Sequence, residues 1–175
     1  AKTAAFMASL FPSGHGDCRL LDAGAGIGSL AAAFLERWRC GGLSFKRVEL
    51  DVYEIDDSLH AQLALTLSKY QGDSCSMKVH GDDFIHTVTD ALSGDLFAKS
   101  LPSYSHAILN PPYKKINSHS AHRAALRRVG IETVNLYSAF VALAVAQAAP
   151  GGQIVAIIPR SFCNGPYYRP FRDFI

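Results

Sequence analysis

Residues 19–38 limit the fold of this chain more than any other stretch. A short apolar run, Arg19-Leu20-Leu21-Asp22, breaks into Gly24-Ala25-Gly26-Ile27-Gly28 and is followed at once by a helical pattern over residues 29–38. Strand, glycine turn and helix in that order leave unpaired N–H groups at the start of the helix, and the glycines let a ligand approach the backbone closely. The same alternation continues to the end of the chain. Strands are expected over residues 48–55, 77–80, 105–109 and 153–158, and helices over residues 4–11, 58–70 and 84–92, with a buried apolar helix within residues 134–149. The turn Pro150-Gly151-Gly152 precedes the last strand, and residues 114–131 read as a polar, basic loop. This rhythm predicts an α/β fold, a mainly parallel sheet with helices on both faces. At 175 residues and 49% hydrophobic, the chain has the material for a single unit, residues 1–175, that needs neither metal nor disulfides to hold together.

Other function classes are disfavoured by simple counts. The apolar run 134–149 contains Asn135, Ser138 and Gln147 and falls short of the roughly 18 residues that suggest a membrane span. With no basic stretch leading into an apolar one at the amino terminus, a cytoplasmic location is expected. Cys18, Cys40, Cys75 and Cys163 form no Cys-x-x-Cys pair and are read as reduced structural thiols. His119 and His122 can share a helical face, but nothing nearby in sequence completes a ligand set, so no metal site is expected. The charge distribution is informative: residues 1–95 carry a balance of −5 and residues 96–175 one of +7. No acid falls between Leu96 and Ile131, whereas Lys99, Lys114, Lys115, Arg123, Arg127 and Arg128 all do. Such a block suits a polyanion or an ordinary solvated face.

In an open parallel sheet, ligands bind beyond the carboxyl ends of the strands, and the chemistry-bearing residues gather there. Ser29 stands where the dinucleotide fingerprint has its third glycine, which disfavours a nicotinamide cofactor. Asp22 either orients a ligand amine through water or holds the backbone amides of the loop. Glu54, at the end of the next strand, can accept both hydroxyls of a ribose, or can be a solvated strand end. The most specific signal is Ile108-Leu109-Asn110-Pro111-Pro112-Tyr113. Two prolines stiffen the backbone and remove two donors, leaving an acceptor frame. The Asn110 side-chain oxygen and the Pro111 carbonyl can accept the two hydrogens of a planar amine, freeing its lone pair, while Tyr113 stacks on the flat group. A rigid turn with tyrosine as packing is the plain alternative.

These residues, in this order, resemble the class I S-adenosylmethionine-dependent methyltransferases. Within that group the chain is similar to the amino-type DNA adenine-N6 methyltransferases of restriction-modification systems, of the PstI/BsuBI type. The resemblance covers nearly the whole chain. Residues 2–11 resemble the motif that precedes the glycine loop, and residues 135–140 and 157–162 the later helix and strand motifs. It implies a Rossmann-like methyltransferase fold and S-adenosylmethionine as cofactor. Asp22, Ala23, Gly24 and Gly26 would bind its methionine part, Glu54, with Asp56 as its neighbour, its ribose, and Asp82, Asp83 and Phe84 its adenine, with Asp83 favoured over Asp82; Ile55 is a further cofactor contact. Asn110, Pro111, Pro112 and Tyr113 are the catalytic motif. Lys114, Lys115, Arg123, Arg127 and Arg128 would contact the phosphates of double-stranded DNA carrying a flipped adenine. A cognate restriction endonuclease acting separately is an implied partner. Nothing after Phe162 resembles the last strands of the sheet or a target recognition domain, so a partial catalytic domain is expected. The same Asn-Pro-Pro-Tyr chemistry also serves glutamine and RNA-base methylation, and a silent nucleic-acid-binding fragment is a further alternative.

Overall fold

The structure, a computed structural model, describes residues 2–94 and 101–175. Among them the chain forms α1 (Lys2–Ser9), β1 (His15–Ala23), α2 (Ser29–Arg39), β2 (Ser44–Tyr53), α3 (Asp57–Ser68), β3 (Cys75–His80) and α4 (Phe84–Leu92). There follow β4 (Tyr104–Leu109), α5 (Ala121–Arg128), α6 (Leu136–Ala146), β5 (Ala148–Ala156), two short 3-10 turns and α7 (Arg169–Phe174). The five strands make one parallel sheet in the order β3-β2-β1-β4-β5.

Alternation along the central strands explains the two-sided core. Leu20, Val52 and Ile108 point to one face, against Phe11, Phe34, Leu35, Leu63 and Leu67. Their neighbours Leu21, Tyr53 and Leu109 point to the other, against Ile85, Val88, Leu126, Ala142 and Leu143. With both faces covered, the strand centres read as continuous apolar runs. The chain winds outward from β1 to β3, then returns past β1 to β4, so its direction reverses between β1 and β4. Such a reversal opens a crevice beyond the carboxyl ends of those two strands.

Two expectations change. Residues 114–131 are not a loop throughout, because α5 lies inside them: the Ser120 hydroxyl caps its first turn by accepting from the Arg123 N–H, and Ala125 and Leu126 are buried beneath it. The density of arginines masked a short amphipathic pattern. The last strand also begins earlier than the expected residue 153. Tyr104 already pairs with Ala148, and Pro150, which has no N–H, together with Gly151 at φ 75°, bulges out of the ladder before pairing resumes at His106 with Gln153. No strand follows β5 among the described residues. No described helix is long and apolar enough to cross a membrane. Cys18 and Cys75 are buried as expected of structural thiols, whereas Cys40 and Cys163 are exposed. Burial pushes the Cys18 thiol up to about 12, which makes it inert.

Candidate active site

The glycine loop is strapped to the end of β2. The N–H groups of Gly24 and Ala25 both donate to the Tyr53 carbonyl, at 2.9 and 3.0 Å. Next along, the Glu54 carboxylate accepts from the Gly26 N–H at 2.7 Å with one oxygen and from the Asp56 N–H at 2.8 Å with the other. Glu54 therefore braces the loop, yet it remains on the wall of the cleft. Gly28 turns the chain into α2 with φ 81°, and a Cβ there would stand 2.8 Å from Leu63 Cδ1. Only glycine meets both demands, which accounts for its place one position ahead of the dinucleotide pattern. Asp22 is fully buried beneath this loop. One of its oxygens accepts from the Ala31 N–H at 3.0 Å and the other has no partner. Burial, opposed by that hydrogen bond, pushes its carboxyl up to about 7.

A cleft of about 380 Å³ runs along the carboxyl ends of the strands, lined by Gly24, Glu54, Ile55, Asp82, Asp83 and Phe84 on one side. Asn110, Pro112 and Lys114 line the other. The order of these residues in the chain gave no distances, but the fold brings all nine to one cavity. Asp22 and Ala23 lie beneath it in the core, while Gly26 faces a second hollow that shares Gly24 and Asn110 with the first. Three further residues line it, Tyr53, Leu136 and Phe140, which the sequence reading did not assign to the site although the last two fall in the 135–140 stretch that resembles the later helix motif. Tyr53 meets the Phe84 ring edge-on at 5.0 Å and Phe84 lies 5.1 Å from Phe140, which gives the cleft an aromatic floor. A signal for Tyr53 was present in its position directly before Glu54. Phe140 ends the 135–140 stretch that resembles the later helix motif, but the motif by itself does not bring it to the cleft.

Asp83 is more committed than its neighbour. Its Oδ1 caps α4 by accepting from the His86 N–H at 2.9 Å, and its Oδ2 meets His122 Nε2 at 2.8 Å. Asp82 is exposed at the same rim. The sequence paired His122 with His119; the fold instead sets it against Asp83 and His86 on α4, because α5 docks there.

The catalytic motif follows β4. Pro111 is buried, whereas Asn110, Pro112 and Tyr113 are exposed. The Tyr113 hydroxyl lies within donating distance of Asn110 Oδ1, at 3.0 Å, and of the Ile157 carbonyl, at 3.2 Å. The side-chain acceptor of the motif is thus occupied by the ring expected to stack on a substrate. Lys114 and Lys115 are exposed beside it. The arginines of α5 differ from the expected row of free cations. Arg123 and Arg127 both clamp Glu132, at 2.6 and 2.7 Å, and Arg128 pairs with Asp90 of α4 at 2.5 Å. The acid-free stretch ends at Ile131, and Glu132, the next residue, folds back on it. Lys99 lies outside the described residues.

No protein-family model matches the chain. It is 49% identical over 174 residues to the type II methyltransferase M.BsuBI of Bacillus subtilis, an alignment covering 97% of this chain and 34% of that protein. It is 45% identical over 172 residues to M.PstI of Providencia stuartii, covering 95% and 33%. The chain therefore spans about a third of the length of these relatives. Among solved structures it superposes on a putative class I S-adenosylmethionine-dependent methyltransferase from Listeria monocytogenes with a TM-score of 0.68 at 15% identity, covering 99% of this chain and 49% of that one. The methyltransferase subunit of a type I restriction-modification system from Streptococcus thermophilus gives 0.67 at 16% identity, covering 98% and 36%. In sequence the chain is thus similar to about one third of each of these two type II methyltransferases, and in structure it carries the Rossmann-like class I methyltransferase fold.

Proposed function

We propose that the chain is the cofactor-binding and catalytic part of a DNA methyltransferase that uses S-adenosylmethionine and acts in the cytoplasm on the N6 amine of adenine. The observation that carries this reading is the convergence of Glu54, Asp82, Asp83 and Phe84 with Asn110 and Pro112 on one cleft. The relatedness to two type II methyltransferases supports DNA as the substrate.

The cleft suits such a cofactor. Its aromatic floor and apolar rim at Ile55 and Leu136 fit a purine, the two carboxylates at residues 82 and 83 can accept from its amine, and Glu54 stands where a ribose is held. The unpartnered oxygen of Asp22 gives the loop a buried acceptor pointed at no protein donor. S-adenosylmethionine supplies an electrophilic sulfonium methyl; transfer to the adenine amine leaves S-adenosylhomocysteine and releases one proton. For its part, the protein positions that amine. Asn110 Oδ1 and the Pro111 carbonyl accept its two hydrogens, so that the nitrogen lone pair is no longer shared with the ring and is aimed along the line of attack. When the substrate enters, Tyr113 gives up Asn110 Oδ1 and its ring stacks on the base turned out of the duplex. Lys114 and Lys115 meet backbone phosphates, and Arg123, Arg127 and Arg128 can join them only by leaving Glu132 and Asp90. A separate endonuclease reading the same DNA sequence is the partner this activity implies.

The test is product analysis. Incubation with labelled S-adenosylmethionine and, in parallel, with DNA, RNA and protein, followed by mass spectrometry of nucleosides and peptides, is expected to yield N6-methyladenine in the DNA. Label recovered instead in RNA bases or in glutamine side chains would overturn the substrate assignment.

A further inference from the structure

The two histidines between α4 and α5 have no part in the reaction described above, and with Asp83, which also lines the cleft, they make a ligand set. Asp83 caps α4, His86 lies three residues on and so on the same helical face, and His122 enters from the first turn of α5. One carboxylate oxygen of Asp83, one ring nitrogen of His86 and one of His122 all lie within 4.8 Å of one another, and Asp83 Oδ2 is 2.8 Å from His122 Nε2. The two imidazoles face each other at 4.9 Å between centroids, inclined by 37°. Each of the three side chains is half-buried, so an ion there would be partly shielded and still reachable by water. The arrangement is held by groups that do not coordinate: Asp83 Oδ1 is fixed by the backbone N–H of His86, and Arg128 ties α5 to Asp90 one turn beyond. Only Oδ2 of Asp83 therefore remains to coordinate.

We infer that Asp83, His86 and His122 form a binding site for a borderline divalent transition-metal ion, of which zinc is the prototype. Two neutral imidazole nitrogens and one carboxylate oxygen suit such ions, with water completing the shell, whereas magnesium and calcium prefer oxygen ligands throughout. To admit the ion, the 2.8 Å contact between Asp83 Oδ2 and His122 Nε2 opens slightly, since two ligands about 2 Å from one metal stand roughly 3 Å or more apart. Asp83 also lines the cleft, so the metal holds away from it a carboxylate that the cofactor uses; this consequence rests on the function proposed above.

Cobalt(II) is the direct probe, because its visible absorption reports low-coordinate nitrogen and oxygen ligation. Titration of the protein is expected to develop those bands at micromolar metal, zinc to remove them, and His86→Ala and His122→Ala each to weaken binding at least ten-fold. The exposed Cys40 and Cys163 are the rival ligands. Cys40→Ser with Cys163→Ser is therefore expected to leave the bands in place and no thiolate-to-cobalt charge transfer to appear. Absence of the bands in the unaltered protein, their survival in both histidine variants, or their loss with the two cysteines would each overturn the site. In a second arm, zinc is expected to weaken S-adenosylhomocysteine binding several-fold, and to have no effect in His122→Ala. If S-adenosylhomocysteine did not bind under any condition, the proposed function would fail while the cobalt spectrum still decided the metal site.

Discussion

The two walls of the cleft are built on different principles. At the ends of β1 and β2 the polar groups are tied to backbone: Tyr53 to Gly24 and Ala25, Glu54 to Gly26 and Asp56, Asp22 to Ala31. On the β4 side the principal acceptor, Asn110 Oδ1, is satisfied by the hydroxyl of Tyr113, an exposed side chain that can turn away. Backbone partners fix a wall before any ligand arrives. A side-chain partner holds an acceptor only until a better donor replaces it, and an exocyclic amine is such a donor. The difference separates a preformed cofactor wall from a substrate wall that changes on binding.

Substitutions that break one wall and spare the other sharpen this contrast. The largest effect is expected from Asn110→Ala, which removes the acceptor for the amine: methyl transfer in a steady-state assay should fall by about 10²–10³-fold, with S-adenosylhomocysteine affinity nearly unchanged. Next comes Tyr113→Ala, whose lost stacking should cost about 1–3 kcal/mol in kcat/KM. Tyr113→Phe keeps the ring and removes only the hydroxyl on Asn110, so it should stay within a few-fold of the unaltered protein. A Tyr113→Phe defect as large as that of Tyr113→Ala would show that the hydroxyl does more than occupy the acceptor. Gly28→Ala attacks the other wall through its left-handed backbone and the contact with Leu63; denaturant unfolding should show a loss of about 1–3 kcal/mol.

A smaller effect, in pH rather than magnitude, is expected beneath the glycine loop. Burial raises the Asp22 carboxyl to about 7 in the fold. Because the folded state holds the proton more tightly than the unfolded one, the contribution of Asp22 to stability is fully present below about pH 4 and is lost as pH rises through about 7. Asp22→Asn cannot ionise and keeps an oxygen for the Ala31 N–H. Its unfolding free energy should decline less than that of the unaltered protein across that window, as measured by denaturant titration at several pH values. The smallest effect belongs to Arg127→Ala. Its ion pair with Glu132 is half-exposed, so stability should change by no more than about 0.5 kcal/mol.

The contrast between the walls also explains what could be read from the sequence. The glycine loop, Glu54 and the Asn-Pro-Pro-Tyr motif are local: each is a few consecutive residues at a strand end, and the period-two and helical patterns around them place that end correctly. What escaped depends on elements meeting across the fold. Phe140 joins the cleft floor only because α6 packs beside Phe84, and the pairing of His122 with Asp83 exists only because α5 docks on α4. The arginines of α5 looked like free cations because the acid that neutralises two of them, Glu132, lies just beyond the stretch that defined the basic block, and the partner of the third, Asp90, is 38 residues away.

The claim at the centre of this account is that cofactor binding belongs to one wall and amine positioning to the other. Calorimetric titration with S-adenosylhomocysteine of the unaltered protein, Glu54→Ala and Asn110→Ala tests it most directly. The account predicts binding by the unaltered protein, an affinity lowered by about ten-fold or more in Glu54→Ala as the Gly26 and Asp56 N–H groups lose their acceptor, and an affinity within about two-fold of the original in Asn110→Ala. Equal losses in the two variants, or binding that ignores Glu54, would contradict it.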